Sequence, residues 1–478
     1  MKAFNTLAIG DHPVLDSLDG IPVTHNWPEN LKPEVNQIVV AFQASEQNVF
    51  LVDSLCYKQL KRLLLGKKNI LCQVLVHSRH SAGLYNQMEG HDIEYVPFSL
   101  DEGWAQTLFG PGGTVRIDGS GIGYADNRCL HLVLFGMTPA SEAIAIQTIR
   151  IAHFPNFIRD HSLKTRITWI DPQALRLGKE FVARHSSLLD NSFYRFVNPE
   201  KEEIHTHKPE SIGTQEEFVD TEWEFVQGHA WTPLIKGKLR QWSLGSHWRL
   251  VTVFAYMSDV DNLDAFRFVE PVLKGVPTLV RVEDDTLISS ADTPVIPFGM
   301  PRGFHDFSLR RRDMGMAVNA VYQYTSREGT LPSSIEWEEA GKYWLELSQA
   351  NRLSSMYSAD SIGIKMRSIG LQEEDWDILY GMDAASIRQL SEVEHNRWTV
   401  AALLSGMRPP SADEKQQMDL DTSLRQFFKA RGVHYDLRAF SELRADEKGL
   451  DVSLYDVALT RSIPLIANAI YHKKDRHA

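Results

Sequence analysis

Through the first three hundred residues, apolar runs of strand length alternate with stretches whose apolar positions recur at helical spacing. That alternation predicts a parallel α/β sheet, because a parallel crossover needs an intervening element to return the chain to the same end of the sheet. The best-defined unit begins with the strand Leu130-His131-Leu132-Val133-Leu134-Phe135-Gly136 and continues into a helix from Pro139 to about His153. It closes on the strand Arg166-Ile167-Thr168-Trp169-Ile170-Asp171. A second strand-helix-strand step runs from Leu250-Val251-Thr252-Val253-Phe254-Ala255-Tyr256 through a helix over Asp264 to Leu273 and into Thr278-Leu279-Val280-Arg281-Val282. Upstream, Val49-Phe50-Leu51-Val52-Asp53, Cys72-Gln73-Val74-Leu75-Val76 and Ile93-Glu94-Tyr95-Val96-Pro97 read as further strands. They form an N-terminal α/β lobe that is expected to share the sheet.

The stretch from about 195 to 235 is rich in Glu, His, Pro and Thr, with weak periodicity, and reads as a long surface insertion. After Pro301 the pattern becomes helical: Met316 to Tyr324, Ile335 to Met366 with an internal break, and Leu390 to Leu404. The expected fold is therefore α/β, a Rossmann-like parallel sheet followed by a mainly α-helical C-terminal region. The expected division is a lobe over 1–128, a Rossmann domain over 129–300, a helical region over 301–380 and a last domain over 381–478.

Composition narrows the function classes. A chain of 478 residues without low-complexity tracts is long enough for two or three cores. Its formal charge of -12 gives no global attraction to nucleic acid or anionic membrane, and the short basic run Arg310-Arg311-Arg312 reads as a solvated helix face. Cys56, Cys72 and Cys129 show no CxxC spacing, which argues against a disulfide framework or structural zinc and makes reduced cytoplasm the expected compartment. The start, Met1-Lys2-Ala3-Phe4-Asn5, leads into no signal-type apolar run, and no stretch approaches the roughly 18 apolar residues of a membrane span.

A dinucleotide site needs glycines in the first βα turn so that backbone amides can approach a pyrophosphate. Here the turn reads Gly136-Met137-Thr138-Pro139-Ala140-Ser141-Glu142, with Thr138 and Ser141 at the second and third glycine positions and Asp171 placed for a ribose contact. Thr138 and Pro139 suit the N-cap and N1 positions, so side-chain capping competes with a phosphate for the same amides, and Glu142 would repel one. Gly136, Thr138, Ser141 and Asp171 are thus the candidate cofactor residues, with NAD or an adenine nucleotide the candidate cofactor and a Rossmann fold without NAD the competing reading. Over residues 129 to 290 the order of strands, turn and acid, with Pro277-Thr278-Leu279-Val280-Arg281, resembles the RCK or TrkA-N domains that regulate potassium transport.

Other clusters carry less. Gly110-Pro111-Gly112-Gly113 and Gly119-Ser120-Gly121-Ile122-Gly123 precede a strand instead of a helix and lack a Walker lysine, so they read as turns. His205-Thr206-His207 places two imidazoles on one face of an extended segment without an evident third metal ligand. No nucleophile motif or distinctive acid pair stands out, so no catalytic residue is assigned.

In the C-terminal quarter, Leu390-Ser391-Glu392-Val393-Glu394-His395-Asn396-Arg397-Trp398 opens a helix. Ser405-Gly406-Met407-Arg408-Pro409, Val433-His434-Tyr435-Asp436-Leu437 and Glu447-Lys448-Gly449-Leu450-Asp451 follow it. This series resembles a ryanodine-receptor-type repeat, departing from its pattern at Tyr435, where Pro is usual, and at Met407, where many members have Trp. Trp337 to Gly370 looks like a diverged first copy. By that resemblance the region is an interaction and small-ligand module, with adenine nucleotides as a ligand class and a pocket drawing on Glu394, His395, Arg397, Trp398, His434 and Tyr435. Asn351, Arg352 and Lys365 would supply polar or phosphate-directed groups across the interface, and Arg352 and Lys365 equally suit surface charges.

On residue chemistry alone, the helix carries an aromatic, an imidazole and a carboxylate that can grip a purine. It equally suits a core of Val393, Trp398, Ala401 and Leu404 with Glu394 and His395 fastening the His434 loop. The resulting expectation is a nucleotide-sensing regulatory protein, a homo-oligomer that signals to a membrane channel or an antiviral effector in trans. The alternatives are a nucleotide-processing enzyme, with Asp259, Asp261 or Glu283 near the Gly136 turn, and a ligand-free oligomerising scaffold.

Overall fold

The computed structural model describes residues 5–474 apart from 19, 46, 78–80, 82–84, 86–92, 111, 210–216, 285, 287, 289–294, 301–303, 373–374 and 446–450. Pro111, Pro301 and the stretch Glu447 to Leu450 of the repeat pattern lie outside the described residues.

The described residues form two sheets, and the N-terminal lobe has its own. Strands β1 (Thr6–Gly10), β2 (Val23–Thr24), β3 (Gln37–Ala41), β4 (Ile70–Leu75) and β5 (Ile93–Phe98) form a parallel sheet in the order β2-β1-β3-β4-β5. The expectation of a shared sheet is therefore corrected. So is the strand expected at Val49 to Asp53, which is the start of helix Val49–Leu63. Its apolar run continues at helical spacing through Cys56, Leu60 and Leu63, which are buried, while Phe50 and Leu51 stay exposed.

The second sheet runs β13 (Val295–Phe298), β12 (Thr278–Arg281), β11 (Trp248–Phe254), β6 (Cys129–Phe135), β7 (Thr165–Asp171), β10 (Thr221–Gln227), β8 (Phe193–Asn198) and β9 (Glu203–His207). Apart from the antiparallel β8–β9 pair it is parallel. Leaving out the β8–β9 hairpin at one edge, the order is the dinucleotide-fold order 3-2-1-4-5-6 read from β10. The surface insertion expected over 195 to 235 is corrected at the same time, since β10 is an interior strand with Trp223, Phe225 and Val226 buried.

Helices Pro139–Ile151 and Ala174–Arg184 cover one face, and Pro233–Leu244 and Asp259–Val269 cover the other. The C-terminal region is helical: Phe304–Glu328, Trp337–Glu346, Gln349–Asp360, Ile362–Ser368, Ala384–Leu404, Ala412–Leu420, Leu424–Lys429, Ser453–Arg461 and Ile463–Lys474. Among the described residues no helix is long and apolar enough to cross a membrane.

One apolar core runs from Ala8 and Val39 through Leu132 and Ile144 to Ile364, Val400 and Leu403, joining both sheets to the helical region. Buried ion pairs reinforce the junctions. Arg312 and the Trp344 indole, 2.6 Å away, converge on the buried Glu94 of β5, while Arg311 pairs with Asp360 at 2.8 Å. The solvated basic face is thus corrected for Arg311 and Arg312, which are held inside by carboxylates distant in sequence.

Candidate functional site

Asp383 caps helix Ala384–Leu404, its carboxylate accepting the Ser386 amide at 2.9 Å. Ten residues further on, this helix carries Glu394, His395, Arg397 and Trp398 into the wall of a cavity of about 430 Å³. Helices Phe304–Glu328, Gln349–Asp360 and Ser453–Arg461 and the segment 424–436 complete the wall. That volume falls within the range of small-molecule pockets, ~300–1,000 Å³.

The floor is a closed charge network. Glu394 is fully buried and accepts from Ser358 Oγ at 2.8 Å, from Arg397 Nε at 3.0 Å and Nη2 at 2.8 Å, and from Lys365 Nζ. Burial would raise its carboxyl, but Arg397 and Lys365 outweigh burial and hold it down to about 2. Arg397 is only 2% exposed, and its Nη1 has no hydrogen-bond partner among the described residues.

The two histidines are shifted in opposite directions. His395 Nδ1 lies 3.3 Å from Asp456 and its Nε2 lies 2.9 Å from the Arg438 carbonyl, so acceptors face both nitrogens. Burial works against a proton there, but Asp456 prevails and the pKa is raised. His434 accepts the Asp436 amide at Nδ1, 3.3 Å away, which leaves the hydrogen on Nε2. Burial, with Lys429 nearby, drives its pKa down to about 3, so this ring is neutral.

Asp436 is the anomaly. Its side chain is 18% exposed, yet neither carboxylate oxygen accepts a hydrogen bond from a described residue, and the neutral His434 ring has its Nδ1 3.8 Å away. Burial raises its pKa against the pull of Arg438, His395, Arg425 and Lys429.

Aromatic rings supply the apolar walls. Tyr322 and Tyr455 stack at 4.8 Å, the Trp398 ring stands 4.9 Å from His434, and Tyr435 has Arg425 and Arg438 each 3.9 Å from its centroid. Arg425, Gln426 and Lys429 reach the cavity from a two-helix flap, whose start at Ser411 is fixed by a capping box with Glu414. The flap has a small core of Met418, Val433 and Tyr435.

Of the nine residues expected here, Asn351, Glu394, His395, Arg397, Trp398, His434 and Tyr435 line the cavity, and Arg352 and Lys365 do not. Both of these are buried, which corrects the surface-charge reading. Arg352 donates to the Trp344 and Leu345 carbonyls at 2.9 and 3.0 Å, closing a helix end, and Lys365 sits behind Glu394. The all-core reading of the helix holds for Val393 but not for Trp398, which is only partly buried. Sequence reasoning missed Tyr322, Tyr455, Asn319, Arg425, Lys429, Asp436 and Asp456 as lining residues. Only Asp436 carried a signal, its place beside His434 and Tyr435.

The Rossmann turn is arranged differently. Gly136 has φ +88°, and a Cβ there would stand 2.9 Å from the Tyr256 ring and 3.1 Å from the Ala255 carbonyl. Asp171 accepts the amides of Met137 at 2.9 Å and Gln173 at 2.7 Å. Thr138 donates to the Ala255 carbonyl at 2.6 Å and forms a capping box with Ser141. Glu142 pairs with Arg184 at 2.6 Å. The Met137, Thr138 and Ser141 amides and the Thr138 and Ser141 hydroxyls, which a pyrophosphate would take, are engaged within the chain.

The remaining clusters are structural. Gly121 allows close approach of helix Ile362–Ser368, since a Cβ would lie 2.0 Å from the Arg367 carbonyl. His207 stacks on Tyr194 at 4.5 Å in the edge hairpin, and among the described residues no group of three or more His, Cys, Asp or Glu can hold a metal. Asp259 accepts the Glu283 amide at 2.8 Å. Comparison with family models, curated proteins and solved structures finds no match to this chain.

Proposed function

We propose that this protein is a nucleotide-sensing regulator whose ligand site is the helical cavity, with the Rossmann region as its structural partner. One observation carries the reading: a cavity of ligand size, walled by Trp398 and the Tyr322–Tyr455 pair, retains polar atoms of charged side chains, Arg397 Nη1 and Asp436 Oδ1, that have no hydrogen-bond partner among the described residues. Buried polar groups left unpaired cost free energy, so a site that keeps them is built for a polar ligand. Aromatic faces suit a base, and Arg425 and Lys429 at the flap suit a phosphate.

A route outward is available on helix Ile362–Ser368. Lys365 pairs with Glu394 at the cavity floor, and two residues on Arg367 pairs with Asp118 at 2.9 Å, in the loop that precedes β6. A ligand that bound two settings of this helix unequally would shift their balance by that difference in affinity. A membrane channel or an antiviral effector is the partner class that the resemblance implies.

The test is thermal unfolding of the full chain against NAD, ATP, ADP, GTP, GDP and cyclic dinucleotides, with product analysis of the same mixtures. A ligand at about a hundred times its dissociation constant stabilises by ~2.7 kcal/mol. A saturable shift without turnover is expected. Turnover would replace the sensor with an enzyme, and no shift from any nucleotide would leave a scaffold.

A further inference from the structure

Resting on the nucleotide reading above, we infer that the base this cavity selects is guanine, held by its Watson–Crick edge between Asp436 and His434. The two residues lie side by side on the loop that also bears Tyr435, and both line the cavity next to Trp398. The backbone amide of Asp436 occupies His434 Nδ1, so the Nε2–H of the neutral ring is the free donor, and it has no partner among the described residues. The Asp436 carboxylate receives no hydrogen bond from them either. The loop therefore offers an acceptor carboxylate, its Oδ1 enclosed in the cavity wall, beside one donor.

Guanine presents the complement on one edge: the 2-amino group and N1–H as adjacent donors, then O6 as acceptor. Adenine presents one donor beside an acceptor, N1, which would face a carboxylate oxygen lone pair to lone pair. Hypoxanthine keeps N1–H and O6 but lacks the 2-amino donor. An ionised carboxylate, having acceptors only, separates these three bases by counting donors. Trp398 gives the base a ring to pack on, and Arg425 and Lys429 stand at the flap where the phosphate would emerge.

Isothermal titration of the full chain with GMP, IMP, XMP and AMP tests this. The expected result is that GMP binds about ten- to a hundredfold tighter than IMP, and tighter still than AMP, because a site built for a donor rejects the analogue lacking it. The Asp436→Asn variant, which exchanges one acceptor for a donor, should lose the preference for GMP and gain one for XMP, whose C2 carbonyl accepts. Equal affinity for GMP and IMP, a preference for AMP, or unchanged GMP affinity in a folded Asp436→Asn variant would overturn the inference. If AMP binds and GMP does not, the guanine assignment falls and the nucleotide reading stands; if none of the four binds, the guanine assignment falls, and the nucleotide reading falls with it only if the thermal-unfolding panel shows no shift either. The GMP-to-IMP ratio is read on the wild-type chain, so the test survives a variant that fails to fold.

Discussion

The molecule holds two places where a nucleotide can be imagined, and they differ in what their polar groups are doing. At the Gly136 turn, Asp171 is occupied by two amides, Thr138 by the Ala255 carbonyl and Ser141 by the reciprocal cap. In the helical cavity, Arg397 Nη1 and the Asp436 carboxylate have no hydrogen-bond partner among the described residues. Fold topology favours the first place, since a dinucleotide fold binds at the strand-order reversal beside β6. Hydrogen-bond accounting favours the second. A scaffold can persist after its site has been closed by its own side chains, whereas unspent buried polarity must be maintained against its cost.

The comparison is sharpened most strongly at Glu394, the part of the cavity that is already satisfied. Glu394→Gln leaves Lys365 and Arg397 buried without their counter-charge, and the expected loss is ~3–5 kcal/mol in denaturant unfolding. A loss under ~1 kcal/mol would mean that water or a rearranged partner reaches this floor, and the division between spent and unspent groups would fail there.

Next in size is the response to acid. The folded His434 value of about 3 lies below the ordinary 6.5, so the unfolded chain takes the proton first. Its stability contribution is complete above about 6.5 and is lost progressively as pH falls toward 3. Glu394 adds a second loss below its ordinary 4.5, continuing to about 2. His395 acts in the opposite sense: its raised value stabilises below 6.5, and that contribution is lost as pH rises through the folded value. Guanidinium unfolding at pH 7.5 and pH 5 is expected to show a net drop of more than ~1 kcal/mol that shrinks in His434→Gln. An unchanged drop in that variant would remove His434 as its source.

How much of this was legible in the sequence depends on the range of the interactions. Local signals read well: Thr138 and Pro139 announce the start of their helix, and β6, β7, β11 and β12 are apolar runs bounded by turns. Glu394, His395, Arg397 and Trp398 share one helix, so their common wall follows from helical spacing. Strand β10 escaped notice because Glu222 and Glu224 give it a polar pattern, and their reason is across the sheet, where Arg166 and Arg195 pair with them at 2.5 and 2.8 Å. Arg311 and Arg312 looked solvated for the same cause. Tyr322 and Tyr455 meet only because two helices far apart in the chain pack together, and no spacing rule reports that.

The Rossmann side of the comparison is broken or kept by Thr138→Ala. The substitution removes the cap and the bond to the Ala255 carbonyl, at an expected cost of ~1–2 kcal/mol. Ligand affinity measured on the folded variant should stay at the wild-type value. A large fall in nucleotide affinity would instead place the ligand at the turn.

The smallest stability effect is expected at Lys429, and it isolates binding from folding. Its ammonium makes no hydrogen bond or ion pair to a described residue, and it stands on a helix of the flap in which no residue is buried. Lys429→Ala should therefore change unfolding free energy by no more than ~0.5 kcal/mol, the usual range for such surface positions. A nucleoside monophosphate, however, loses one cation from its phosphate and should bind about tenfold more weakly, an effect that salt diminishes as screening grows. The corresponding nucleoside, which has no phosphate, should bind both proteins equally. If the nucleoside also weakened, Lys429 would act through the position of the flap, since a charge that meets only phosphate has no means of sensing a ligand without one.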